Sequence, residues 1–145
     1  MLSYLRRTRP NKAELEEREI AIGSEMFNSR KAAQMAAVFA KKHGGTINVL
    51  KLMKLLYLAD RESMKQSGFP ISFDHVVAME HGPVLSQTLN LINGAVRGSA
   101  GALWEEWISD RQEHGLTLNR KFSREDLDQL SDADLEVLDA TWVTF

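Results

Sequence analysis

The 145-residue sequence has no cysteine and no long apolar run, and each absence excludes a class of protein. Without cysteine the chain has no disulfide, no thiolate metal ligand and no cysteine nucleophile, which fits a reducing compartment. No run approaches the roughly 20 apolar residues that a membrane-spanning helix needs. The start, MLSYLRRTRP, lacks the apolar core of a secretory signal, so we expect a cytoplasmic protein.

The chain also lacks a surplus of either charge. It has 18 basic and 20 acidic side chains, which give a formal net charge of −2. Proteins that bind nucleic acid usually carry a basic surplus that displaces counterions from phosphate. The composition therefore disfavours nucleic acid as a partner, and the missing apolar span disfavours a membrane.

The chain divides near residue 26. Residues 1–25 contain five basic and five acidic side chains, Pro10 and few large apolar residues. This composition predicts a mobile N-terminal tail with at most one short helix from about Asn11 onward. Residues 26–145 are close to the usual size of a single domain, and we expect them to fold as one unit.

The first part of this domain carries the patterns of two helices. Ser29 is a suitable N-cap for a helix of small apolar residues, which should end at the glycine pair after His43. Asn48 can cap a second helix, in which apolar side chains recur at helical spacing over a wide face. Gly68 and Pro70 should end it. The width of its apolar face predicts a central helix packed on more than one neighbour.

The residues after Pro70 change from a helical to an extended pattern. β-Branched residues predict a short strand over Val76–Met79. Pro83 is well suited to the first position of a third helix, which should end near Ile92. The glycines between residues 94 and 101 predict a loop.

The last third of the chain predicts a β-hairpin and two helices. Residues 103–122 favour the hairpin, with a short helix at Trp104–Ile108 as the alternative. Ser123 and Ser131, each with an acidic residue three positions on, predict capping boxes of two short helices. The chain as a whole predicts an α+β fold: a helix-dominated single domain with a small antiparallel β-sheet packed against the central helix. The strand Val76–Met79 and the hairpin should form that sheet.

Three motifs follow one another in the middle of the chain. KLMKLLYLADRE spans Lys51–Glu62, GFPI spans Gly68–Ile71 and AMEHGPV spans Ala78–Val84. Their order and spacing match the K-L-x-K-L-L-Y-x-x-D-R, G-x-P-I and A-M-x-x-G-P-V patterns of Panacea-type antitoxin domains. The chain resembles this family from Met26 to its C-terminus. The resemblance implies an antitoxin that neutralises a cognate toxin protein by direct contact.

The family pattern extends further than this sequence does. It continues past the position of Phe145 into another helix, so we expect either that this sequence is a truncated copy or that the domain lacks its last packing element. Panacea-type domains pair with many unrelated toxins, and the resemblance therefore leaves the activity of the toxin open.

The polar side chains of the first motif are candidate partner-binding residues. Lys54, Tyr57 and Arg61 recur at helical spacing, so they should line one side of the second helix, with Asp60 beside them. The alternative is structural: Tyr57 packs on the core, and Asp60 and Arg61 tie the helix to the following turn.

Two further pairs are candidates for the same surface. Glu80 and His81 precede Gly82-Pro83, where they either line a partner site or form a solvated pair at a turn. Trp104 and Trp107 would point to opposite faces of a strand, which would leave one ring exposed to a partner. The alternative is a core tryptophan beneath the hairpin.

Patterns for metal binding and catalysis are missing from the sequence. The four histidines are scattered, and none pairs at helical spacing, so we expect no metal site and no cofactor. No P-loop, nucleophile elbow or dinucleotide fingerprint occurs, and we expect no enzyme activity. Two alternative functions remain open. One is a DNA-binding autoregulator, and the other is a small ligand-binding or enzymatic module that uses Asp60, Glu80 and His81.

Overall fold

The computed structural model describes residues 26–145; the predicted N-terminal tail, residues 1–25, lies outside the described residues. The elements in chain order are α1 (Ser29–Lys42), β1 (Thr46–Asn48), α2 (Val49–Ser67), β2 (Val76–Met79), β3 (Gly82–Leu85), α3 (Ser86–Ile92), α4 (Ser99–Glu105), β4 (Gly115–Thr117) and α5 (Asp132–Thr144).

The first helix has the predicted extent but a different cap. Asn28, rather than Ser29, is the N-cap of α1, because its side chain accepts hydrogen bonds from two backbone N–H groups of the first turn. Ser29 is the first helical residue and is buried. After the helix, Gly44 and Gly45 adopt φ angles of 93° and 106°, which confirms the predicted glycine stop.

The central helix predicted from the sequence is α2. The side chain of Asn48 accepts a hydrogen bond from Leu50 N at 2.8 Å, as expected of its cap. Gly68 ends the helix in the left-handed region, with φ of 84°. α2 packs against α1, α5, β1 and β3. Its buried apolar side chains are Val49, Leu52, Met53, Leu55, Leu56 and Ala59.

An antiparallel hairpin follows α2. The strand Val76–Met79 is confirmed as β2, but the prediction that Pro83 opens a helix is wrong. Pro83 lies in β3 opposite Ala78. Met79 and Gly82 flank a two-residue loop and therefore form a hydrogen-bonded pair of the ladder. The next pair, Ala78 and Pro83, exchanges no backbone hydrogen bonds. Because proline has no N–H to donate, it fits this position without removing a hydrogen bond from the ladder. The third helix therefore begins later, at Ser86.

The segment after α3 is more helical than predicted. α4 begins at Ser99, inside the stretch predicted to be a loop, and includes Trp104. The prediction of a β-hairpin over residues 103–122 is wrong for most of that range. The pairing within it consists of isolated bridges, which join Ile108 to Leu118 and Gln112 to Gly115.

The strand pairing also differs from the prediction. β4 pairs with β1, with Ile47 opposite Leu116, and β2 pairs with β3. Among the described residues the strands therefore form two separate two-stranded sheets, not one. Residues 46–48 were not predicted to be extended.

The C-terminal part is attached through capping boxes and a buried glutamine. The boxes at Ser123 and Ser131 are confirmed; the first opens a 3₁₀ turn and the second opens α5. Gln34 of α1, which is fully buried, donates to Asp128 at 2.7 Å and accepts from Gln129 N at 3.0 Å. These bonds fix the segment between the two boxes to α1.

Within residues 26–145, the five helices and both sheets contribute side chains to one core. Its largest fully buried members include Trp104, Trp107 and Phe39. The predicted fold class is confirmed: the chain is α+β, helix-dominated and a single domain, with antiparallel strands packed against the central helix.

Candidate functional site

One side of α2 remains outside the core. The helical period carries Leu50, Lys54, Leu58 and Arg61 along this side. Leu50, Lys54 and Arg61 are exposed, and Leu58 is half-buried. Apolar and cationic side chains therefore alternate along the surface of the central helix.

The β2–β3 hairpin lies beside this side of α2, and the two enclose a groove of about 670 Å³. We call it the α2–hairpin groove. A concave, largely apolar surface with a few polar groups is the usual form of a binding site. The lining residues are Leu50, Lys51, Met53, Lys54, Leu55, Tyr57, Leu58, His81, Pro83, Val84 and Phe145.

The groove brings together part of the predicted set. Lys54, Tyr57 and His81 line it, with Tyr57 half-buried in its wall. Arg61 lines a neighbouring groove of about 370 Å³ between α2 and α5. Glu80 is exposed in the turn of the hairpin and does not line the α2–hairpin groove.

The exposed cations of α2 form no ion pair within the described part of the chain. Lys51 lies with Nζ 5.0 Å from the centroid of the Trp142 ring. Lys54, Arg61 and Lys65 form no ion pair with any residue of the range 26–145, where the ion pairs lie on other elements. This side of the helix therefore carries positive charge.

Asp60 does not belong to the exposed row, so that part of the prediction is wrong. Asp60 is only 5% exposed. One carboxylate oxygen accepts from Ile71 N and Ser72 N, both at 3.0 Å, and the other accepts from the Ser72 hydroxyl. These bonds tie the middle of α2 to the chain that follows it, which is the structural alternative for this residue.

Burial of Asp60 has an electrostatic consequence. Desolvation raises the pKa of its carboxyl above the ordinary value, while the hydrogen bonds from Ser72 and Ile71 oppose the rise, and the nearby charge of Asp74 adds to it. Burial thus disfavours the ionised form of the Asp60 carboxyl, and the three hydrogen-bond donors around it offset part of that penalty.

Asp74 positions the hairpin, and sequence reasoning missed it. One carboxylate oxygen accepts from Gln87 N at 2.9 Å, and the other accepts from the backbone N and side-chain hydroxyl of Thr88. Asp74 precedes β2 in the chain, and it caps the first turn of α3, which follows β3. Asp74 N donates to the Ser72 hydroxyl at 3.1 Å, which links this cap to Asp60. The base of the hairpin is fixed to both helices.

The two tryptophans are buried, so the prediction that one ring is exposed is wrong. Trp104 is 1% exposed and Trp107 is 0% exposed. Because this stretch is a helical turn and not a strand, residues three apart point to the same side. The Trp107 ring is covered by the Arg120 guanidinium, 4.3 Å from its centroid, and by Phe122.

The apolar part of the groove was also missed. Leu50 is 57% exposed, and Leu58 lies on the same side of α2. The signal in the sequence was that both leucines fall outside the core face of the helix pattern. Pro83 and Val84 gave no signal, because their position depends on a hairpin that the sequence did not predict.

No cluster of three or more histidine, aspartate or glutamate side chains in residues 26–145 is placed to hold a metal ion. Asp60 is buried, whereas Glu80 and His81 are exposed, and none of the described cavities is lined by all three. Within the same range, no helix has the length and apolar character needed to cross a bilayer.

Comparison with known proteins identifies the family. Neither a curated protein nor a solved structure matches the chain. The family model described as "Antitoxin SocA-like, Panacea domain" matches residues 52–145, which is more than half of the chain. The matched range includes most of α2, the whole hairpin and α5, and therefore nearly all of the α2–hairpin groove. The chain belongs to the SocA-like, Panacea-domain family of antitoxins.

Proposed function

We propose that this protein is an antitoxin that neutralises a cognate toxin protein by direct contact through the α2–hairpin groove. The observation that carries the proposal is an exposed, largely apolar groove whose lysines form no ion pair with a described residue, built by the motifs of an antitoxin family. Binding here would occlude the toxin or lock it in an inactive conformation.

The candidate residues take different roles in this proposal. Lys54, Tyr57 and His81 contact the toxin from the walls of the groove, and Arg61 extends the contact along α2. Glu80 stands at the rim, in the turn of the hairpin. Asp60, Trp104 and Trp107 are buried and therefore have no part in the proposed contact surface.

Co-expression with the toxic product of the neighbouring reading frame tests the proposal. Wild-type protein should restore growth, and Tyr57→Ala should weaken that rescue. The matched control is Phe69→Ala, which removes another aromatic ring, 62% exposed and outside the groove. Far-UV circular dichroism and the melting temperature establish that each variant is folded.

Arg61→Ala and Arg97→Ala form a second matched pair. Both arginines are exposed, and neither forms an ion pair with a described residue. Only Arg61→Ala should reduce rescue. Full rescue by folded Tyr57→Ala, Lys54→Ala and Arg61→Ala variants would show that toxin contact lies elsewhere on the molecule.

A further inference from the structure

We infer that the element of the toxin seated in the α2–hairpin groove is an apolar peptide segment that carries acidic side chains. The inference rests on the proposed function and specifies the chemistry of the partner.

The apolar half of the inference comes from exposed side chains that line the groove. Leu50 is 57% exposed and Phe145 is 62% exposed, and Pro83 and Val84 form the opposite wall. Removing such surface from water favours association, and apolar side chains of a partner achieve this. A purely polar or sugar-phosphate ligand would leave these side chains in contact with water or with charge.

The acidic half of the inference comes from the charge of the groove. Lys51 and Lys54 are its charged lining side chains, with His81 opposite, and no aspartate or glutamate side chain lines it. Arg61 and Lys65 continue the row along α2. Carboxylates of a partner would pair with these ammonium and guanidinium groups, and the apolar surroundings strengthen each pair.

The acidic side chains of α2 and the hairpin that are not buried, Glu62 and Glu80, lie outside the groove lining. Glu62 lines the neighbouring groove, where it accepts a hydrogen bond from Gln66 at 3.2 Å. Glu80 is exposed in the hairpin turn and outside the groove lining. The overall charge of the chain is −2, so this positive side is a local feature and not a reflection of composition.

Charge reversal in the antitoxin tests the inference. The probe is the purified product of the neighbouring reading frame, titrated calorimetrically into wild type, Lys54→Glu and Arg61→Glu. Each reversal should raise the Kd at least about tenfold, because a like charge then faces the partner carboxylate. The matched controls Arg97→Glu and Lys121→Glu make the same change in exposed cations outside the groove, and they should leave the Kd within about threefold of wild type.

Charge reversal in the toxin gives the complementary test. Single acid-to-lysine substitutions in the toxin should include one that weakens binding to wild type and restores binding to Lys54→Glu. Raising the salt concentration from about 0.05 M to about 0.5 M should weaken the wild-type complex more than the Lys54→Glu complex.

The outcomes separate this inference from the proposed function. If wild type neither binds nor neutralises the toxin, the proposed function fails and the inference fails with it. If wild type and both reversed variants bind equally well, the proposed function stands and the acidic-segment inference is overturned. If the reversals instead abolish a gel shift of the operon promoter and leave toxin binding intact, the cations serve nucleic acid and the inference is again overturned.

Discussion

At the scale of single residues, Asp60 shows how one buried carboxylate holds two parts of the chain together. It accepts hydrogen bonds from Ile71 N, Ser72 N and the Ser72 hydroxyl. Its side chain is therefore the link between α2 and the base of the hairpin, and its replacement tests that link.

Asp60→Ala should lower the free energy of unfolding by at least about 2 kcal/mol, because it leaves three buried donors without an acceptor. Asp60→Asn is the matched control. Its amide oxygen still accepts from the two backbone N–H groups, and its NH₂ donates to the Ser72 hydroxyl, so the loss should stay under about 1 kcal/mol. Urea denaturation measures both; equal losses would contradict the hydrogen-bonding role.

The raised pKa of Asp60 predicts a pH dependence of stability. Between the ordinary carboxyl pKa and the raised one, the folded protein holds a proton that the unfolded chain has released. The free energy of unfolding should therefore fall as the pH rises through this window, from about pH 4 upward. The measurement is the difference between wild type and Asp60→Asn in urea denaturation at several pH values. A difference that is constant across the window would show that burial does not raise this pKa.

At the scale of elements, the close approach of α4 to the loop before it depends on a glycine. A Cβ atom at Gly101 would overlap the backbone oxygen of Val96, whereas a Cβ at Gly115 would meet Thr46 Cγ2 at 3.7 Å, an ordinary contact. The two glycines therefore form a matched pair.

Gly101→Ala should destabilise the protein by about 1–3 kcal/mol, although alanine favours a helix in general, because the Val96 backbone must shift. Gly115→Ala should change the free energy of unfolding by less than about 1 kcal/mol. Thermal denaturation compares the two variants. If Gly101→Ala were instead more stable than wild type, the loop at Val96 would accommodate the added Cβ atom without lowering the free energy of unfolding.

The elements also show what local sequence can and cannot predict. α2 was predictable because its cap at Asn48, its apolar period and its stop at Gly68 are all local signals. The prediction for Pro83 failed because a proline fits the first turn of a helix and a non-bonded strand position equally well. Tertiary pairing decides between the two, and nothing local reports it.

The difference between local and tertiary signals also explains which residues of the candidate site were predicted correctly. Lys54, Tyr57 and Arg61 were placed on one side of α2 because helical spacing fixes that relation. The burial of Trp104 and Trp107 depended on whether their segment was a helical turn or a strand, and the wrong element gave the wrong exposure. Asp74 binds backbone groups 13 and 14 positions away, a contact that no spacing rule contains.

At the scale of the whole molecule, the described helices and sheets share one core. Unfolding should therefore be a single cooperative transition. Tryptophan fluorescence, which reports mainly the buried Trp104 and Trp107, should give the same midpoint in urea as far-UV circular dichroism, which reports the helices. Separate midpoints would indicate that part of this core unfolds independently.

The link from Asp60 through Ser72 to Asp74 also governs how the protein exchanges amide hydrogens with solvent. α3 has only seven residues, and a helix this short would fray and exchange quickly by itself. Its amides at Gln87 and Thr88 are instead held by Asp74. Their exchange therefore requires the chain after α2 to open, so these two amides should report the rate at which the hairpin base separates from the central helix.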